Sequence, residues 1–210
     1  VSESGNLIWG PHIYGPSNST ESLFDSEISD SKVIAVFKDN NGFAIEVIDI
    51  NTGLKSWDFT SSDSRIQDIE IFDNEVFVLN NRDLGGDNWI SEITKFSLLS
   101  GELTQAIEVE EFLNKLSIGE NGVLAVGLND AFYFDRNLNT KIDEVHFESQ
   151  IQTSFAVHPP FQSINQSGDP YIGISNDGLF KTIFVSQNND QEEFINFKDY
   201  TDEFFERDGV

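Results

Sequence analysis

Apolar and polar positions alternate with a period of two along most of this chain, and the runs are cut by turn residues. Ser31–Phe37 is a short β-branched and aromatic run that stops at Asp39-Asn40-Asn41-Gly42. Phe43–Ile50 alternates, Asn51-Thr52-Gly53 turns, and Leu54–Phe59 follows as a third strand. Alternation split by Asn, Asp and Gly predicts an antiparallel meander of hairpins. The same succession recurs. Glu75–Leu79 leads through a polar stretch, Asn80 to Asn88, into Trp89–Phe96, then the turn Leu99-Ser100-Gly101 and a strand from Leu103 to Val109. A third round comprises Gly122–Gly127, Ala131–Asp135 and Ile142–Val145, and a fourth comprises Tyr171–Ile174 and Leu179–Val185.

Val36, Val78, Val126 and Ile172 occupy like places in these rounds, 42, 48 and 46 residues apart. A period of 40–50 residues with three or four strands per unit predicts an all-β fold of β-propeller blades. One small twisted sheet cannot cover both of its faces, but stacking on neighbours buries them. Four units are visible over residues 31–186. Residues 1–30 are expected to supply part of a further blade. The length therefore suits four or five blades, as a small ring, an arc, or a part of a larger ring whose function needs the remainder.

The first unit carries a more specific pattern. Val47-Ile48-Asp49-Ile50-Asn51-Thr52-Gly53-Leu54-Lys55-Ser56-Trp57 resembles the blade signature of pyrroloquinoline-quinone-like (PQQ-like) repeats, in which Asp, Gly and Trp recur at these spacings. Asp49, Gly53 and Trp57 match; Val47 and Leu54 depart. The resemblance implies that Gly53 takes a left-handed turn conformation, Asp49 bonds turn amides, and Trp57 packs between blades. The second unit keeps Gly101, with Ser97 and Gln105 at the Asp and Trp places. The third keeps Asp135 and Asn139-Thr140 but has Lys141 where Gly is expected. WD40 and kelch repeats are the alternative blade types. Trp9 and Trp89 are expected to pack blades as Trp57 does, and quinone redox chemistry is not expected.

Residues 187–210 change character. Acids are interleaved with Phe194, Phe197, Tyr200, Phe204 and Phe205, a spacing that fits one helix face. This segment is expected to pack on the last blade or to dock a partner.

Composition narrows the function. The 210 residues include 37 Asp and Glu against 12 Lys and Arg, a formal charge of −25. Nucleic acid and anionic membranes are poor partners for such a surface, since both demand neutralising cations. A basic protein partner or cations suit it; a high-salt habitat suits it too, though the Ile, Phe, Asn and Ser content is not that of a strong halophile. Cys is absent, which excludes disulfides and thiolate chemistry. No apolar run reaches the roughly 18 residues of a spanning helix. The chain begins at Val1 and has no Met, as expected of processed or trimmed protein, and an extracytoplasmic location (secreted, periplasmic or cell-surface) is the expectation. Asn18-Ser19-Thr20 and Asn165-Gln166-Ser167 are sequons.

Candidate chemistry is sparse. His12, His146 and His158 stand beside no Ser–Asp arrangement and form no zinc-spaced pair, and no phosphate loop occurs. No catalytic residue is assigned. Asp135, Asn137, Asn139 and Asp143 have the spacing of a calcium loop, with oxygen ligands at positions 1, 3, 5 and 9, but Thr140 stands where such loops have Gly. Calcium is therefore the one candidate cofactor. Asp83-Leu84-Gly85-Gly86-Asp87-Asn88 is a second loop that could wrap a cation. The expected function is a non-catalytic propeller that binds or assembles with protein. The rival is an extracytoplasmic, carbohydrate-active hydrolase with carboxylates at the mouth of a channel.

Overall fold

The computed structural model describes residues 22–38, 42–86, 88–120, 122–128 and 130–146, with backbone alone for Asp143, Val145 and His146. It also describes the backbone of four later strands. The described residues form sixteen strands in four antiparallel four-stranded sheets, each a simple meander. Sheet 1 is β1 (Ser22–Ser29), β2 (Lys32–Lys38), β3 (Phe43–Asp49) and β4 (Lys55–Ser61). Sheet 2 is β5 (Arg65–Phe72), β6 (Glu75–Gly85), β7 (Asn88–Ser97) and β8 (Leu103–Val109). Sheet 3 is β9 (Leu113–Ile118), β10 (Gly122–Gly127), β11 (Asp130–Asp135) and β12 (Lys141–His146). Sheet 4 is β13 (Phe161–Ile164), β14 (Pro170–Asn176), β15 (Leu179–Phe184) and β16 (Ile195–Phe197). The chain divides into two compact units, residues 1–116 and 117–210.

The four periodic positions all fall on second strands: Val36 on β2, Val78 on β6, Val126 on β10 and Ile172 on β14. Their phase is less exact than their spacing. Counted from the hairpins that pair Ser29 with Lys32 and Phe72 with Glu75, the counterpart of Val36 is Leu79, not Val78. Burial shows why this matters. Ile34, Val36, Phe43, Ile45, Val47 and Trp57 of sheet 1 meet Ile69, Val76, Val78 and Phe96 of sheet 2 in one core. Val36 and Val78 thus face each other across two stacked sheets, because a shift of one residue turns a strand's side chains to the other face.

Three expectations are corrected. Each of the first three sheets has a first strand (β1, β5, β9) that hydrophobic alternation did not mark, because acids and amides interrupt it. The polar stretch Asn80 to Asn88 is strand rather than loop: β6 continues to Gly85 and β7 resumes at Asn88, and Asp83 pairs with Trp89. Asn80 and Asn81 are buried there, with partners described below. Within the C-terminal segment, Ile195–Phe197 forms strand β16 against β15, not helix. Its hydrogen-bonding edge outweighs the aromatic spacing. Residues 198–210, His12, Trp9, His158 and both sequons lie outside the described residues.

Candidate functional site

The turns between third and fourth strands repeat one device. In sheet 1, Gly53 N–H donates to Asp49 C=O (2.8 Å) and Asp49 N–H donates to Leu54 C=O (2.9 Å). In sheet 2, Gly101 N–H donates to Ser97 C=O (2.8 Å) and Ser97 N–H to Glu102 C=O (2.9 Å). Gly53 and Gly101 lie at φ 68° and 72°. The Asp49 carboxylate accepts from the N–H groups of Asn51 and Thr52, both at 3.0 Å, and pairs with Lys32 Nζ at 3.0 Å. Those partners, led by the Lys32 hydrogen bond, hold its pKa below the usual carboxylate range. Trp57 takes the inter-blade place that the PQQ-like pattern implies. Its Nε1–H donates to Leu98 C=O at 2.7 Å and its ring stacks on Phe96 at 6.2 Å.

The calcium-loop residues belong to the third copy of this turn. Asp135 N–H donates to Thr140 C=O at 3.0 Å, so Asn139, not Lys141, stands at the place of Gly53. The left-handed residue has moved to Leu138 (φ 57°), whose side chain is buried. One Asp135 carboxylate oxygen accepts from Asn137 N–H at 3.1 Å and the other from Thr140 N–H. Asp143 is set opposite Tyr133 inside the ladder, past the pair Phe134–Lys141. Asp135, Asn137 and Asn139 are therefore together in the turn, and Asp143 enters from the next strand. Among the described residues with placed side chains, no three His, Asp or Glu cluster as metal ligands do. In the second loop, Asp83 accepts from Gly85 N–H at 2.7 Å and Asn88 Nδ2 donates to Gly85 C=O at 3.2 Å, closing a tight hairpin. Trp89 meets Phe112 edge-on at 5.1 Å, and His146 ends β12.

A second constellation was not singled out from the sequence. The hairpin registers make Asp25 and Glu27 of β1 the counterparts of Asp68 and Glu70 of β5, each Asp following a bulge. Strands β1 and β5 are neighbours, so these acids gather. Asp68 is buried; its carboxylate accepts from Leu116 N–H at 2.7 Å and from Lys115 Nζ at 3.2 Å. Burial, with the Asp68 and Glu27 carboxylates beside it, pushes Glu70 up to about 7. Glu27 is raised by burial and by Asp25 and Asp68. Burial raises Asp68 as well, against the lowering effect of Leu116 N–H and Lys115. Nearby, buried Asn81 donates to Leu113 C=O at 2.8 Å, and Ser91 Oγ accepts from Leu113 N–H at 2.8 Å. Buried amides and acids thus seat the start of β9 on sheet 2 as a further ladder would.

A pocket of about 310 Å³ opens elsewhere on the first unit. It is lined by Thr60 and Ser61 at the end of β4, by residues 62–64 of the connection to β5, and by Asn80, Arg82, Ile90, Glu92 and Glu108 of sheet 2. Gly42 lets that connection approach, since a Cβ there would lie 2.1 Å from Ser61 C=O. Arg82 pairs with Glu108 at 3.0 Å, Asn80 donates to Glu92 at 3.3 Å, and the Ser61 and Ser64 hydroxyls bond at 2.7 Å. Asp25, Glu27, Asp68 and Glu70 do not line it.

The sequence matches no known family model and no curated protein. Solved structures do match. The Dos1 propeller superposes at a TM-score of 0.63 and 14% identity over 86% of this chain and 48% of that one. HIRA (644–1017) matches at 0.53 and 16%, over 87% of this chain and 55% of that one. The fold is that of a β-propeller. A quinonprotein alcohol dehydrogenase-like protein from Bacteroides thetaiotaomicron also matches, at 0.50 and 14% over 85% of this chain and 42% of that one. This propeller chain spans about half the length of the Dos1 and HIRA structures. Identities this low speak for the fold and leave the function to the site.

Proposed function

We propose that this chain is a non-catalytic propeller that serves as a binding or assembly module for a protein partner. One observation carries the reading: among the described residues, the carboxylates with raised pKa, Glu27, Asp68 and Glu70, do not line the pocket described above. A hydrolase of the two-carboxylate kind needs its acid and its base flanking the bond within one cleft. Here Asp68 serves the seating of β9 through Leu116 N–H, and in the pocket Glu108 pairs with Arg82 and Glu92 accepts from Asn80. Propeller neighbours of the WD40 kind support an interaction role, and the acidic surface supports a basic partner. An extracytoplasmic location is part of the proposal.

The test has two arms. Incubation with chromogenic glycosides is expected to show no turnover above buffer; hydrolysis that Glu70→Gln removes would overturn the reading in favour of the hydrolase. In the second arm, a protein retained by the immobilised chain from its own source is purified and remixed. A saturable complex of fixed stoichiometry is expected. Failure of every retained protein to re-form one would reject the assembly role.

A further inference from the structure

The pocket beside the Thr60–Ser64 connection has a chemistry that selects its occupant, and this inference rests on the binding-module reading. Its charged lining is Asp63, Glu92 and Glu108 against Arg82 alone. Four hydroxyl side chains and one amide complete the polar lining, with Ile90 as the apolar member. The pocket lies where the connection between sheets 1 and 2 meets the ends of β6 and β8 and the start of β7. Arg82 and Glu108 are each about half exposed, so their pair is open to exchange. The guanidinium of Arg82 thus shows in place what the pocket accepts: a planar cation on a carboxylate, in a pocket whose lining also carries four hydroxyl side chains. The net negative charge of the whole chain draws cations towards it.

We propose that this pocket is the seat of an arginine side chain from a basic segment of the partner, held by Glu92 and Glu108 and exchanging with the internal Arg82. The incoming guanidinium donates to the two carboxylates, and the Ser and Thr hydroxyls accept its remaining N–H groups. Arg82 is then a competitor rather than a ligand. That sets an expectation opposite to the usual loss on mutation: removing it strengthens binding.

The experiment titrates the full chain with acetyl-Gly-Arg-Gly-amide and with its uncharged citrulline counterpart, followed by amide NMR shifts. The arginine peptide is expected to shift Ser61–Ser64, Arg82 and Glu108 saturably, and the citrulline peptide to bind about tenfold more weakly. Glu92→Gln is expected to weaken the arginine peptide several-fold, and Arg82→Gln to strengthen it several-fold. Glu102→Gln and Lys55→Gln make the same charge changes at the far ends of β8 and β4 and are expected to leave the affinity within a factor of about two. Equal effects from the near and far substitutions, shifts spread over the acidic surface, or no saturable shift would each overturn the proposal. None of these would touch a complex re-formed with a whole partner, so the two readings fail separately.

Discussion

Gly101 and Trp57 depend on each other closely across sheets 1 and 2. A Cβ on Gly101 would lie 2.7 Å from the Trp57 ring, at a φ of 72° that L-residues avoid. Gly101→Ala is expected to cost more than about 1 kcal/mol, and Trp57→Ala about 3–5 kcal/mol, in urea unfolding. If the alanine at 101 acts by pushing the ring, its cost will shrink sharply in the Trp57→Ala background; additive costs would refute the contact. At the third turn, Asp135→Ala is expected to lower the melting temperature by a few degrees in chelator as well as in calcium, because its carboxylate closes the turn through Asn137 and Thr140 N–H. A loss confined to calcium-containing buffer would instead assign the loop to the metal. Asp49, Gly53 and Trp57 were legible in the sequence because turn geometry and large aromatic area are carried by residue type. Leu138 was not, since a left-handed leucine is tolerated only where its burial offsets the backbone strain.

At the scale of elements, the first strands carry the sheets' polar connections. Glu70 has a folded-state pKa of about 7, above its ordinary value of 4.5. The folded chain therefore binds its proton more tightly than the unfolded chain, and the stability this provides is lost as pH rises from 4.5 through 7. Melting temperature is expected to rise when pH is lowered from 8 to 6. Glu70→Gln should raise it at pH 8 and flatten the dependence. An unchanged slope in the variant would place the titration elsewhere, with Glu27 and Asp68 the remaining raised carboxylates among the described residues. In sheets 1–3 the second, third and fourth strands were readable because alternating or continuous apolar runs bounded by turn residues mark them. Strands β1, β5 and β9 were not, because Asp25, Asp68 and the adjacent Asn114 and Lys115 interrupt their apolar runs. Asn80 and Asn81 misled in the same way: buried amides, one on the Glu92 carboxylate and one on Leu113 C=O, look like loop residues in one dimension.

For the whole molecule, a charge of −25 makes the compact state repel itself. Raising sodium chloride from about 10 mM to about 500 mM shortens the Debye length from roughly 30 Å to a few ångströms and is expected to raise the melting temperature by several degrees. Potassium chloride should do the same. A rise with calcium at matched ionic strength, and none with either monovalent salt, would mean that specific ions and not the net charge set the stability.

The sequence by itself determined the class of fold, the blade period, the turn device and the partners that charge disfavours. Each of these follows from local residue type or from composition, which one dimension records in full. The tertiary structure decided which face each strand turns to its neighbour, since one residue of register separates Val78 from Leu79. It alone gathered Asp25, Glu27, Asp68 and Glu70, which are up to 45 residues apart, and kept them out of the pocket lined by Glu92 and Glu108. Proximity across sheets depends on how hairpins are cut and stacked. That information belongs to pairs of distant residues and has no signature in either member alone.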